Sequence, residues 1–123
     1  MESFKFIVIV FNDKIDDSDF AMSLARGYSV KEELVESKLI LNEEELLTLN
    51  TIWEIINDFN DSMIGLHEDD IIYSDEVKLQ CIQGIEEYLA DLEMGIKEKK
   101  LIEQLLVMLR YAYNRNKNIY FLF

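Results

Sequence analysis

The sequence predicts a helix-rich α+β fold, in which an N-terminal and a C-terminal strand pair in a small sheet packed against three to four helices. A mainly α arrangement is the alternative. Three observations carry the prediction: a β-branched and aromatic run near the start, long segments with apolar residues at helical spacing, and a second apolar run closing the chain. With 123 residues, half of them hydrophobic, the chain is expected to form a single domain over 1–123.

The run Lys5 to Phe11 is stopped by Asn12 and Asp13 and reads as a strand buried on both faces. From Asn12 to Asp19 the polar stretch reads as a loop. Ser18 or Asp19 then caps a short helix that runs to Arg26 and stops at Gly27. Ser29 and Glu32 fit a capping box, with Leu34 and Val35 as apolar followers, while Lys38 to Leu41 fits a short strand equally well.

Asn42 and Glu45 make a second capping box, and glutamates at 43 to 45 suit the positive end of the helix dipole. The long helix that follows places Leu46, Leu49, Ile52, Trp53, Ile56, Phe59 and Met63 on one inward stripe, ending at Gly65. The loop from Leu66 to Asp70 leads through Ile71, Ile72 and Tyr73 to Ser74, an N-cap with Asp75 and Glu76 in the first turn. There the stripe is Val77, Cys81, Ile85, Tyr88 and Leu92, closing at Gly95. The last helix, Lys97 to Asn114, has so wide an apolar face that it belongs at the centre. A polar turn from Asn114 to Asn118 precedes the strand from Ile119 to Phe123, which pairs most simply with the first.

Charge is the strongest functional signal. The chain holds 25 acids against 12 Lys and Arg, for a formal charge of −13. From Leu39 to Ile96 there are 15 acids and one base, Lys78, whereas 97–123 is net +4. That balance excludes free nucleic acid and anionic membranes as main partners and favours a basic protein. Glu54, Asp58 and Asp61 stand at i, i+4 and i+7 on the long helix, extended backward by Asn50. Like charges so spaced repel by a few tenths of a kcal/mol, so helix stability does not select them. Gln80, Gln83, Glu87 and Asp91 form a second outward row. The candidate partner-binding set is Glu54, Asp58, Asp61, Glu68, Asp69, Asp70, Asp75 and Glu76. The basic residues of the last segment, Lys97, Lys99, Lys100, Arg110, Arg115 and Lys117, are expected to pair with the acidic helices.

No catalytic, metal or cofactor signature accompanies this charge. His67 beside Glu68, Asp69 and Asp70 offers consecutive ligands that converge poorly, and Asp13, Asp16, Asp17 and Asp19 miss the spacing of a calcium loop. Four isolated glycines build no phosphate-binding loop. Cys81, the sole cysteine, falls on an inward stripe and forms no internal disulfide, which with the lack of an export signal predicts a cytoplasmic protein. The expected function is therefore non-enzymatic and free of cofactors: an acidic inhibitor or immunity-type protein that neutralises a basic enzyme, such as a nuclease or nuclease toxin. One alternative is a nucleic-acid mimic that inhibits a DNA- or RNA-binding protein. Another is a regulatory adaptor or dimerising domain that meets its partner through the terminal strand or the last helix. The plain alternative is a solvated surface that keeps a small protein soluble.

Overall fold

The computed structural model describes residues 6–14, 32–65, 70–91 and 95–123. Four strands make one antiparallel sheet: β1 (Phe6–Phe11), β2 (Val35–Leu41), β3 (Asp70–Ile72) and β4 (Ile119–Leu122), in the order β2-β1-β4-β3. The helices are α1 (Glu43–Thr48), α2 (Asn50–Asn60), α3 (Asp75–Asp91) and α4 (Ile96–Arg115), with a 3-10 turn at Glu32–Leu34. The fold is α+β and rich in helix, as the sequence predicts. Its two predicted strands are central neighbours, with Val8 opposite Phe121 and Ile9 opposite Tyr120.

Strand alternation sorts β1 between two apolar clusters. Phe6, Val8 and Val10 face the helices and join the main core, while Ile9 and Phe11 join Ile71 and Tyr120 on the other side. The expected burial of β1 on both faces is thus observed. At the centre of the main core Trp53 meets Phe121 and Phe123 edge-on, with ring centroids 6.1 and 5.0 Å apart. Each such pair contributes about 0.5–1.5 kcal/mol beyond the area it buries. The wide face of α4 buries Ile102, Leu105, Leu106, Met108, Leu109 and Ala112, against α3 on one side and the sheet on the other.

Four expectations need correction. The region around Lys38 is a full strand from Val35 to Leu41, with Glu36 as the extra residue of a bulge between the pairs of Val10 and Phe11. Asp70, read from the sequence as the end of a loop, opens the short edge strand β3 with Ile71 and Ile72, to which the sequence reading gives no element. The helix predicted from 43 to 63 is two helices that break at Leu49. There the Trp53 indole N–H donates to the Leu46 carbonyl at 2.8 Å, engaging an acceptor that an unbroken helix directs to Asn50. α2 then stops at Asn60, because Asp61 takes the left-handed conformation with φ 51°. Met63 therefore never joins the inward stripe and is 74% exposed, and Phe59 is 41% exposed. The predicted helix from 18 or 19 to 26, Ser29 of the first capping box, and Leu92 lie outside the described residues.

Among the described residues, the caps that the sequence announces at Asn42 and Ser74 form. Asn42 accepts from the Glu45 backbone N–H at 2.8 Å, and the Glu45 carboxylate accepts from the Asn42 N–H at 3.0 Å. Ser74 accepts from the Val77 N–H at 3.3 Å at the start of α3. Gly95 does not close that helix; it is the N-cap of α4.

Candidate functional site

The acidic residues of the candidate set divide into those the fold uses and those it leaves facing solvent. Glu54 and Asp58 lie one turn apart on the exposed side of α2, opposite the buried Ile52, Trp53 and Ile56. Asp61 is also exposed, and occupies the cap after the helix rather than the third place of a helical row. Glu76 is exposed in the first turn of α3. Among the described residues none of these four carboxylates makes an ion pair. Asp70 is half-buried at the start of β3, where its carboxylate accepts from the Ile71 backbone N–H at 2.8 Å. Asp75 binds Lys78. Glu68 and Asp69, with His67, lie outside the described residues. In the second row Gln83 and Glu87 are exposed and Gln80 is half-buried.

Lys78 is the feature that the sequence reading did not anticipate. It is the one base among residues 39–96, and its side chain is only 1% exposed. Its ammonium donates to the Asp75 carboxylate at 2.8 Å and approaches the Ala112 carbonyl of α4 at 3.5 Å. The helical spacing to Cys81, Ile82 and Ile85, all buried, explains the placement: position 78 falls on the inward stripe of α3. Residues 39–96 consequently expose no Lys or Arg of their own, and the ion pair that reaches one of their exposed carboxylates, Glu86, comes from Arg110 of α4.

The corner where α2 meets β3 is fixed by two asparagines. Asn57 accepts from the Ser62 hydroxyl at 2.8 Å and the Ile64 N–H at 2.7 Å, and its side-chain N–H donates to the Ile64 carbonyl at 2.9 Å. Asn60 donates to the Ile71 carbonyl at 3.2 Å. These bonds fold the chain after α2 back onto its last turn and tie that turn to β3. α2 also approaches α3 at Gly84, where an added Cβ would lie 3.0 Å from side-chain atoms of Ile55 and Phe59.

The basic segment behaves in part as expected. Arg110 pairs with Glu86 of α3 at 3.5 Å. Arg115 instead reaches Asp13, in the turn after β1, at 3.3 Å, and lies 5.7 Å from the centre of the Tyr111 ring. Burial, with Glu36 and Asp13 nearby, pushes the Tyr111 hydroxyl up, and Arg115 opposes the shift. Lys117 is buried at 6% exposure and is not part of a surface basic patch. Burial pushes the Cys81 thiol up to about 12, so it is a packed apolar group rather than a nucleophile. Among the described residues no three His, Cys, Asp or Glu side chains gather as a metal set, and no helix is long and apolar enough to cross a membrane.

No protein-family model matches the sequence, and no curated protein matches it. The structure is similar to that of the Neisseria DNA mimic protein DMP12, with a TM-score of 0.63 over 98% of this chain and 100% of that one, at 15% identity. At that identity the likeness is one of fold.

Proposed function

We propose that this protein is a non-catalytic nucleic-acid mimic, which inhibits a basic DNA- or RNA-binding protein by placing carboxylates where phosphates bind. The observation that carries the reading is the one-signed surface of residues 39–96, made so by the inward turn of Lys78. A surface of one sign raises encounter rates with a basic partner and disfavours acidic ones. The fold shared with a protein named as a DNA mimic supports this choice over the other inhibitor readings. The surface that meets the partner is Glu54, Asp58, Asp61 and Glu76, with Asp70 at its margin and Glu68 and Asp69 in the connecting segment.

The test is competition. The partner is captured at low salt from lysate of the source cell, identified, and saturated with a labelled nucleic acid that it binds. Titration with this protein is expected to displace the nucleic acid, with displacement weakening as salt rises. A ternary complex, in which partner, nucleic acid and this protein sediment together, refutes the mimic.

A further inference from the structure

Three large apolar side chains stand exposed at the corner just described: Phe59 at 41%, Met63 at 74% and Tyr73 at 58%. Asn57 bonds to the residues on either side of Met63, and Asn60 bonds to Ile71, two residues before Tyr73. Asn57 and Asn60 therefore hold the backbone beside these three positions, and little ordering entropy is lost when something covers them. Asp58, Asp61 and Glu76, which make no ion pair among the described residues, flank these three in sequence.

Charge decides what the cover is. A second copy meeting this corner about a two-fold axis would set the same carboxylates against each other, and like charges at an interface are strongly unfavourable. Nucleic acid is repelled for the same reason. A bare polycation satisfies the carboxylates yet leaves the apolar side chains in water. We infer that the partner binds this corner with an amphipathic basic segment, whose apolar residues seat on Phe59, Met63 and Tyr73 while its Lys and Arg side chains reach the surrounding carboxylates. The inference rests on the reading proposed above and adds a division of labour: the carboxylates govern association, and the apolar anchors govern dissociation.

Two polymers of matched length serve as probes, poly-lysine and an alternating lysine–leucine copolymer. Wild-type protein is expected to bind the copolymer on the order of tenfold more tightly than poly-lysine, and to hold it at salt concentrations that release poly-lysine. The double variant Met63→Gln with Tyr73→Gln is expected to bring copolymer affinity down to the poly-lysine level while leaving poly-lysine affinity unchanged. Met63 is 74% exposed, so the single variant Met63→Gln is expected to keep the wild-type thermal melt while losing part of the copolymer affinity. Copolymer affinity that survives the double substitution overturns the anchors, as does equal wild-type affinity for the two polymers. A separate arm tests the underlying reading, because poly-lysine affinity unaffected by Glu54→Lys, Asp58→Lys and Asp61→Lys together overturns the acidic surface itself.

Discussion

Removing the carboxylate of Asp75 is the perturbation for which the structure gives the sharpest expectation. The Lys78 side chain is 1% exposed, and its ammonium has one short partner, Asp75 at 2.8 Å; the Ala112 carbonyl is at the 3.5 Å limit. In Asp75→Ala the ammonium is left inside the protein with only that weak contact. Stripping one partner from a fully buried pair costs about 3–5 kcal/mol. Asp75 is itself 42% exposed, so water already screens the pair and reaches part of the vacated space, reducing the expected loss to about 2–3 kcal/mol. In a chain of 123 residues that is a fall in Tm of roughly 10 °C. Lys78→Met keeps the length of the stem and removes the charge. The orphaned carboxylate of Asp75 then turns to water, and the Ala112 carbonyl keeps the Lys117 N–H at 2.9 Å, so stability is expected within about 1 kcal/mol of wild type. Urea unfolding of the two single variants and the double variant measures the asymmetry, with the double variant near Lys78→Met. If Lys78→Met loses as much as Asp75→Ala, the burial of an uncompensated charge is not what the pair prevents, and the reasoning fails.

Three further outcomes are expected. The Cys81 thiol resists alkylation in the folded protein and reacts at once in urea. Because its folded value of about 12 is raised above the ordinary 9.0, its contribution to stability is intact below pH 9. That contribution is lost between 9 and about 12 at up to roughly 1.4 kcal/mol per pH unit, a slope that unfolding of Cys81→Ala should lack. Gly84→Ala gains about 1 kcal/mol of helix propensity but pushes a methyl group to 3.0 Å from Ile55 and Phe59, for a net loss of about 1 kcal/mol in urea unfolding; a gain would mean that α2 moves away freely. Reversing Glu54, Asp58 and Asp61 to Lys slows association with the captured partner by at least about tenfold while changing dissociation little, read by stopped flow; an unchanged association rate removes α2 from the interface.

What the sequence revealed of the fold followed the length of each signal. β1 and β4 were legible because runs of β-branched and aromatic residues bounded by polar turns have few other readings, and α4 because a wide apolar face extends over 20 residues. β3 was not, since three residues cannot establish a period and its pairing with β4 is purely tertiary. The break at Leu49 was hidden because Leu46, Leu49, Ile52 and Trp53 keep helical spacing across it; only the indole bond to Leu46 reveals it. For the candidate site, exposure of Glu54, Asp58, Asp61 and Glu76 followed from charge and spacing. The exposed apolar cluster was missed because Met63 was placed by extending the period of α2 three residues beyond its end at Asn60. The polar run Asn60, Asp61, Ser62 was the available signal, since Asn and Asp tolerate the left-handed conformation that stops a helix.

The formal charge of −13 understates how specifically the fold distributes its cations. Arg110 answers Glu86, Arg115 answers Asp13, and Lys78 answers Asp75, so each neutralises a carboxylate away from the exposed side of α2. A surface shaped only for solubility gains from interspersing both signs, because neighbouring like charges repel and opposite ones relieve that repulsion. Here Asp58, Asp61 and Glu76, three of the carboxylates left without an ion pair among the described residues, flank in sequence the side chains that a soluble monomer gains least by exposing, Met63 and Tyr73. Solubility alone accounts for neither feature. A partner that carries positive charge and apolar surface together accounts for both, which is why charge reversal and anchor removal are expected to act on different rate constants of one complex.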